Sequence, residues 1–333
     1  MNTRARVGTV CQNLRFFSSV EQNLDHVLGL LDLVMSVRPD IVCLPENFAT
    51  VGMERLDVRA LAETLPGPTT DRVAKYARRG HCYVICPMLT LRENRVFNSA
   101  VIVDRRGEIA GVYDKICPVT TSPDYTLLES GVAPGAGDGV FDLDFGRIGL
   151  RICFDVGFPE TWQAMKQQDV RLVFWASAYD GGFPLTTHAA MFQYYVVSSV
   201  RTDRSRIIDP CGTMLAATNG YSNVAWRDIN LDFVVCHTDF NYGISDEILA
   251  DYGDRVEVRA HADAGRFLVE PIDPSVTTQS LQERYGFESA DQYHARHRDA
   301  YGQCRQGGVA APQVAAHRSR VQYAKPPRKP VQQ

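Results

Sequence analysis

The chain contains no apolar run approaching the roughly 20 residues of a membrane-crossing helix. Its first residues, MNTRARVGTV, include basic side chains but no apolar stretch behind them, so no secretory leader is expected and a cytoplasmic location is. There is no C-x-x-C pair, and the nine cysteines are odd in number, which excludes a paired disulfide framework and a zinc ribbon. Most of them lie inside apolar runs such as Ile41-Val42-Cys43-Leu44, where a free thiol packs as a small hydrophobe. A G-x-S-x-G elbow is also missing, which removes the commonest serine-hydrolase reading. No internal repeat occurs. Acidic residues are missing from Gln303–Gln333, which carries six basic ones, while the whole chain has a formal charge of −4. The rest of the chain is therefore acidic and offers no basic face for nucleic acid. The tail itself, rich in Gly, Ala and Pro, reads as a disordered basic segment.

What remains is an ordinary globular composition over 333 residues, 45% apolar and 22% charged, with length enough to bury a large core without staples. Short apolar runs alternate with helical spacing. Strands are expected at Val7–Leu14, Ile41–Leu44, Cys82–Leu89, Asn98–Asp104, Glu108–Tyr113, Val140–Phe145, Arg147–Ile152, Val170–Trp175, Val196–Val200 and Ile207–Ala217. Helices are expected at Glu21–Val37, Leu56–Thr64, Asp71–Arg79, Pro159–Gln168 and Leu185–Tyr195. Further on, Val256–Ala260 and Gly265–Glu270 read as extended, and Thr278–Gln282 and Ala290–Tyr301 as helical. Asp114–Gly139 is a long loop, and loops of that length in compact domains usually carry function. The rhythm implies one α/β domain over residues 1–302, followed by the tail from 303.

Three ionisable residues share a placement, each where an apolar strand gives way to a loop. Glu46 follows Ile41-Val42-Cys43-Leu44-Pro45, Lys115 follows Ile109–Tyr113, and Cys153 follows Ile148–Ile152. Strand ends are where α/β sheets hold ligands. A carboxylate, an ammonium and a thiol can together form a nucleophilic site, in which the carboxylate takes the thiol proton and the ammonium stabilises developing negative charge.

The context of these residues resembles the nitrilase superfamily of carbon–nitrogen hydrolases. The matching pieces are Leu44-Pro45-Glu46-Asn47-Phe48, Tyr113-Asp114-Lys115, Leu128-Glu129 before Pro134-Gly135, Gly146–Asp155 running into Phe158-Pro159-Glu160, and Ser205–Gly212. They occur in the family's order and span roughly residues 5–270. The resemblance implies a four-layer αββα sandwich and a Glu46-Lys115-Cys153 triad, with Glu129 as the second glutamate beside the lysine. It implies hydrolysis of amides, nitriles or N-carbamoyl compounds through a thioester, with no metal or organic cofactor. It also implies a homodimer, or a higher homo-oligomer, paired through the helices Pro159–Gln168 and Leu185–Tyr195.

Substrate choice rests on departures from the family pattern. Val156 and Gly157 stand where many amidase-like and carbamoylase-like members carry an arginine, which leans against a free carboxylate near the reacting carbon. Phe154-Asp155 replaces the Trp-Glu usual after the cysteine in true nitrilases, so a small amide is favoured over a nitrile, with release of ammonia. The alternatives are a nitrilase, an N-carbamoyl amine hydrolase, and a non-catalytic small-molecule-binding scaffold. Phe154, through its backbone N–H, is the expected second oxyanion donor, and Tyr179 and Phe183 are candidate pocket residues. The His294–His297 pair reads as surface, and no metal site or membrane partner is expected.

Overall fold

A computed structural model of the chain describes residues 3–53, 57–239, 241, 243–261 and 264–310. By its contacts the chain divides into two compact units, Met1–Leu231 and Asp232–Gln333.

The first unit holds two six-stranded sheets. In one, β1 (Arg4–Val10), β2 (Ile41–Cys43), β3 (Tyr83–Arg92), β4 (Arg95–Val103) and β5 (Ile109–Asp114) lie in sequence order, with β12 (Val224–Asn230) at the edge beside β1. In the other, β6 (Val140–Leu143), β7 (Gly146–Ile152), β8 (Leu172–Ser177), β9 (Tyr195–Val200), β10 (Arg206–Ile208) and β11 (Met214–Ala217) do the same. The strands β1, β2 and β3 are mutually parallel, as are β7, β8 and β9. Because β4 is antiparallel to both β3 and β5, β5 runs in the direction of β3.

Burial explains why these runs form strands. β8 and β9 are buried at every position, as continuous apolar runs covered on both faces should be. The two sheets meet across a seam that is partly polar. Thr9 Oγ1 donates to Ser198 O at 2.6 Å, and the Ser199 and Ser205 hydroxyls both donate to Val10 O, at 2.7 and 2.8 Å. Small hydroxyl side chains let the backbones approach while their own donors stay satisfied.

Helices cover the outer faces. The Ser19 side chain caps α1 (Val20–Met35) by accepting from Gln22 N, and the helix turns Leu24, Val27, Leu28, Leu31 and Val34 inward at helical spacing. With α3 (Pro68–Gly80) it packs on β1, β3 and β4. On the second sheet, α4 (Pro159–Gln167) and α5 (Gly182–Phe192) place Trp162, Met165, Leu185 and Ala189 over Val173, Trp175 and Val196. The layering is αββα, as the resemblance to the nitrilase superfamily implies.

The second unit is a three-stranded antiparallel sheet, β13 (Val234–His237), β15 (Arg266–Pro271) and β14 (Val256–His261), with α6 (Ile244–Tyr252), α7 (Thr278–Tyr285) and α8 (Ala290–Arg305). Its core gathers Cys236, Ile248, Val269, Leu281 and Phe287.

Several expectations shift. The division after Leu231 falls inside the expected 1–302 domain, and α8 carries helix to Arg305, past the expected start of the tail. Residues 311–333, most of that tail, lie outside the described residues. The expected helix at Leu56–Thr64 is only the single turn α2 (Val58–Leu61), with Leu56 itself outside the described residues. Helix α3 opens at Pro68, three residues before the expected Asp71, because the fixed φ of proline suits a first turn. Ile207–Ala217 is two strands around the Asp209–Gly212 turn. Asp209 Oδ1 organises that turn by accepting from Cys211 N and Thr213 N, each at 2.9 Å. Among the described residues no helix is long and apolar enough to cross a membrane.

Candidate active site

The topology brings the carboxyl ends of β1, β2, β3, β5, β7, β8 and β9 to one side of the first unit, and Glu46, Lys115 and Cys153 lie just beyond three of these ends. All three are buried, Lys115 almost completely. Lys115 Nζ donates to Glu46 Oε1 at 3.2 Å and to Glu129 Oε1. The long loop is tied down at both ends of this contact. Glu129 N donates to Val119 O at 2.8 Å, Val119 N to Glu129 Oε1 at 3.2 Å, and Gly135 N to Lys115 O at 2.8 Å. A Cβ on Gly135 would collide with the Asp114 backbone, so only glycine permits this close return.

Cys153 sits at the bend where β7 turns into the short 3-10 turn Cys153–Gly157, with φ of 45°. A non-glycine residue in that left-handed region costs about 1–3 kcal/mol and is held only by its surroundings. Those surroundings are explicit. Trp175 Nε1 donates to Cys153 O at 2.9 Å. Asp155, completely buried, accepts from Ile152 N at 2.8 Å, Tyr113 Oη at 2.7 Å and Cys117 N at 3.0 Å, and its own carbonyl accepts from Trp162 Nε1 at 2.9 Å.

The electrostatics assign resting protonation states. Burial pushes the Glu46 carboxyl up, but Lys115, Arg201 and Asn98 outweigh it, and the group stays below the ordinary glutamate range. Burial works against the Lys115 ammonium, yet Glu46, Cys153 and Glu129 raise it above the usual lysine value. Burial and the Glu46 charge push the Cys153 thiol up to about 11, against the opposing pull of Lys115, the Ser177 hydroxyl and the Ala178 backbone. At neutral pH the site is a thiol beside a carboxylate and an ammonium.

Sequence reasoning missed Asn98. Its Nδ2 donates to Glu46 Oε1 at 2.8 Å and to Glu129 Oε2 at 3.1 Å, bridging the two carboxylates. The available signal was one polar amide opening the apolar run Asn98–Asp104. It also missed Ser177 and Ala178, which close β8 against the sulfur, and Arg201, whose Nη2 lies 3.9 Å from Glu46 Oε2. The expected pocket residues fare unevenly. Burial and the neighbouring Cys153 push the Tyr179 phenol up, and its ring packs edge-on against Trp175 at 5.5 Å, which places it beside the thiol. The half-exposed Phe154 ring packs edge-on against Phe158. Phe183 is 81% exposed at the start of α5, and among the described residues nothing links its ring to the three reactive groups.

A family model described as carbon-nitrogen hydrolase matches residues 6–235. Among curated proteins, the chain is 25% identical over 265 residues to a deaminated glutathione amidase of Dictyostelium discoideum, covering 70% of this chain and 90% of the relative. It is 27% identical over 217 residues to the human omega-amidase NIT2, covering 57% and 76%. Among solved structures it resembles Saccharomyces cerevisiae Nit3, a member of branch 10 of the nitrilase superfamily, with a TM-score of 0.61 at 17% identity, covering 68% of this chain and 90% of that one. An amidase from Nesterenkonia matches with a TM-score of 0.59 at 16% identity, covering 70% and 92%. At such identities the structural likeness speaks for the fold.

Proposed function

Because the chain belongs to the carbon–nitrogen hydrolase family, we propose that it hydrolyses a small amide through a thioester on Cys153, releasing ammonia. The observation that carries this reading is the buried contact of Lys115 with both Glu46 and Glu129 beside the Cys153 thiol.

A thiol at about 11 is not a standing thiolate at neutral pH, so the proton leaves as the sulfur attacks. Glu46, held ionised, takes that proton while the carbon–sulfur bond forms. The carbonyl oxygen becomes an oxyanion, stabilised by the Lys115 ammonium and the backbone N–H of Phe154. Glu46 returns the proton to the nitrogen, the carbon–nitrogen bond breaks, and ammonia departs. Glu46 then takes a proton from water as the water oxygen attacks the thioester. Collapse expels the Cys153 sulfur, which recovers the proton. Glu129 holds Lys115 charged and in place. The names of the amidase relatives support the choice of an amide.

Ammonia release from a panel of primary amides tests the proposal. Turnover by the wild type that drops to background in Cys153→Ala supports it, and turnover that survives this substitution contradicts it.

We also propose that the protein pairs with itself through α4 and α5, with exposed Phe183 and Met191 of α5 in the contact. This gives Phe183 a place outside the pocket.

A further inference from the structure

Three buried rings reach the nucleophile turn, and each gives its N–H to a main-chain carbonyl. Trp175 Nε1 of β8 donates to Cys153 O at 2.9 Å, Trp162 Nε1 of α4 to Asp155 O at 2.9 Å, and His188 Nε2 of α5 to Val156 O at 2.8 Å. The two ends of the turn differ in what is held. Cys153 O and the Phe154 N–H belong to one planar trans peptide and point in opposite directions. Trp175, by fixing the oxygen, therefore fixes the direction of the N–H. At the far end, a 3-10 turn running on from Val156 would satisfy the Val156 carbonyl from the N–H of residue 159. That residue is proline, which has none. His188 supplies the missing donor. A side chain at Gly157 would meet nothing within 4 Å among the described residues, so the Val156–Gly157 peptide has room to rotate once its carbonyl is released.

The setting of His188 isolates its N–H as the useful group. Its ring stacks on Trp162 at 4.4 Å and 12°, and on Phe192 at 5.8 Å and 15°, which sets the ring plane. Burial holds the imidazole below the ordinary histidine range, so at neutral pH it carries a single ring proton. A carbonyl only accepts, so that proton is on Nε2. Nδ1 is left buried with no partner among the described residues, at a cost that a phenyl ring in the same stack would avoid. What the imidazole adds to such a ring is the bond to Val156 O.

We propose that His188 is a positioning residue: with Trp175 at the other end, it holds the turn Cys153–Gly157 so that the Phe154 N–H faces the oxyanion. This rests on the amide-hydrolysis reading above and extends it to a side chain that touches neither the substrate nor the sulfur.

The test uses two substitutions that separate the ring's two properties. His188→Phe keeps the stack and removes the N–H, whereas His188→Gln keeps an N–H donor and removes the stack. In His188→Phe, kcat for a primary amide is expected to fall about 10-fold with KM within about twofold, a part of what a whole oxyanion donor supplies. His188→Gln is expected to keep kcat within about threefold. The opposite order, or equal losses in both, assigns the ring to packing and overturns the proposal. Damage to the nucleophile itself is read with methyl methanethiosulfonate, which Cys153 attacks with loss of methanesulfinate and no oxyanion. That rate stays within about threefold of wild type in His188→Phe, and a fall matching the one in kcat overturns the proposal. Trp175→Phe removes the donor at the other end and is expected to repeat the pattern, whatever the folding of the His188 variants. If no primary amide turns over in the wild type, the amidase reading fails. Butanal then decides the positioning by itself, since the Cys153 sulfur adds to its carbonyl carbon and the thiol proton passes to the oxygen in the oxyanion position. Protection of Cys153 from the thiosulfonate that is about 10-fold weaker in His188→Phe than in wild type and His188→Gln sustains the proposal. Equal protection in all three, or none, overturns it.

Discussion

At the residue scale, the site works because Glu46, Lys115 and Cys153 fix one another's protonation. Glu46 lies below its ordinary range and must be ionised to act, so activity falls only as pH drops through that lowered value. The thiol at about 11 contributes no limb near neutrality. The kcat/KM of a neutral amide is therefore expected to be flat from about pH 5.5 to 9, since the base titrates below that window and the nucleophile above it. Asn98→Ala removes a donor to the Glu46 carboxylate, so the acid limb moves to higher pH, and the loss of a charge-assisted hydrogen bond costs about 1.5–3 kcal/mol in stability by denaturant titration. Lys115→Gln removes an oxyanion partner and is expected to lower kcat by about 10²–10³. An alkaline shift of the whole profile in place of that loss would show that Lys115 only tunes the thiol. Glu46, Lys115 and Cys153 were legible because each ends an apolar run. Asn98 and Arg201 were not, because their partners are 52 and 155 positions away in sequence and only the strand order joins them.

At the scale of elements, two turns do the positioning. The bend after β7 holds Cys153 in a left-handed conformation, and Asp155 pins it through Ile152 N and Tyr113 Oη. Tyr113→Phe leaves the buried Asp155 carboxyl one donor short, for which we expect a loss of about 1–3 kcal/mol in thermal or urea unfolding. The return of the long loop onto Lys115 depends on Gly135. Gly135→Ala is expected to lower kcat more than it raises KM, because it displaces the backbone that carries the ammonium rather than the pocket. Strands with unbroken apolar runs, such as β8 and β9, were readable from sequence. The edge strand β12 was not, since Arg227 and Asp228 at its centre break the apolar signal, and edge strands tolerate such charges. Helix α5 began three residues before its expected start because Gly182 and Pro184 disguise its first turn.

At the scale of the whole molecule, the family match at 6–235 and the first unit ending at Leu231 nearly coincide, and every residue of the site lies within both. The alternation of strands and helices was enough to foresee an α/β domain, and the resemblance to the nitrilase superfamily supplied the four-layer sandwich. Two strands and two helices of the second unit were foreseen, but not its separation from the first, because no Gly- or Pro-rich linker marks the boundary at Leu231. Its core is nonetheless its own. Leu281 is fully buried there, and Leu281→Ala is expected to cost about 2–5 kcal/mol by denaturant unfolding. Self-association through α4 and α5 predicts a mass in light scattering of at least twice the 37.1 kDa chain, reduced by a charged substitution at Met191. The most direct measurement for the account as a whole is mass spectrometry of the protein quenched during turnover of a slowly hydrolysed amide. The account predicts a single acyl adduct, on the peptide that carries Cys153 and on none of the other eight cysteines. Steady turnover with Cys153 unmodified, and chemically accessible throughout, would contradict it.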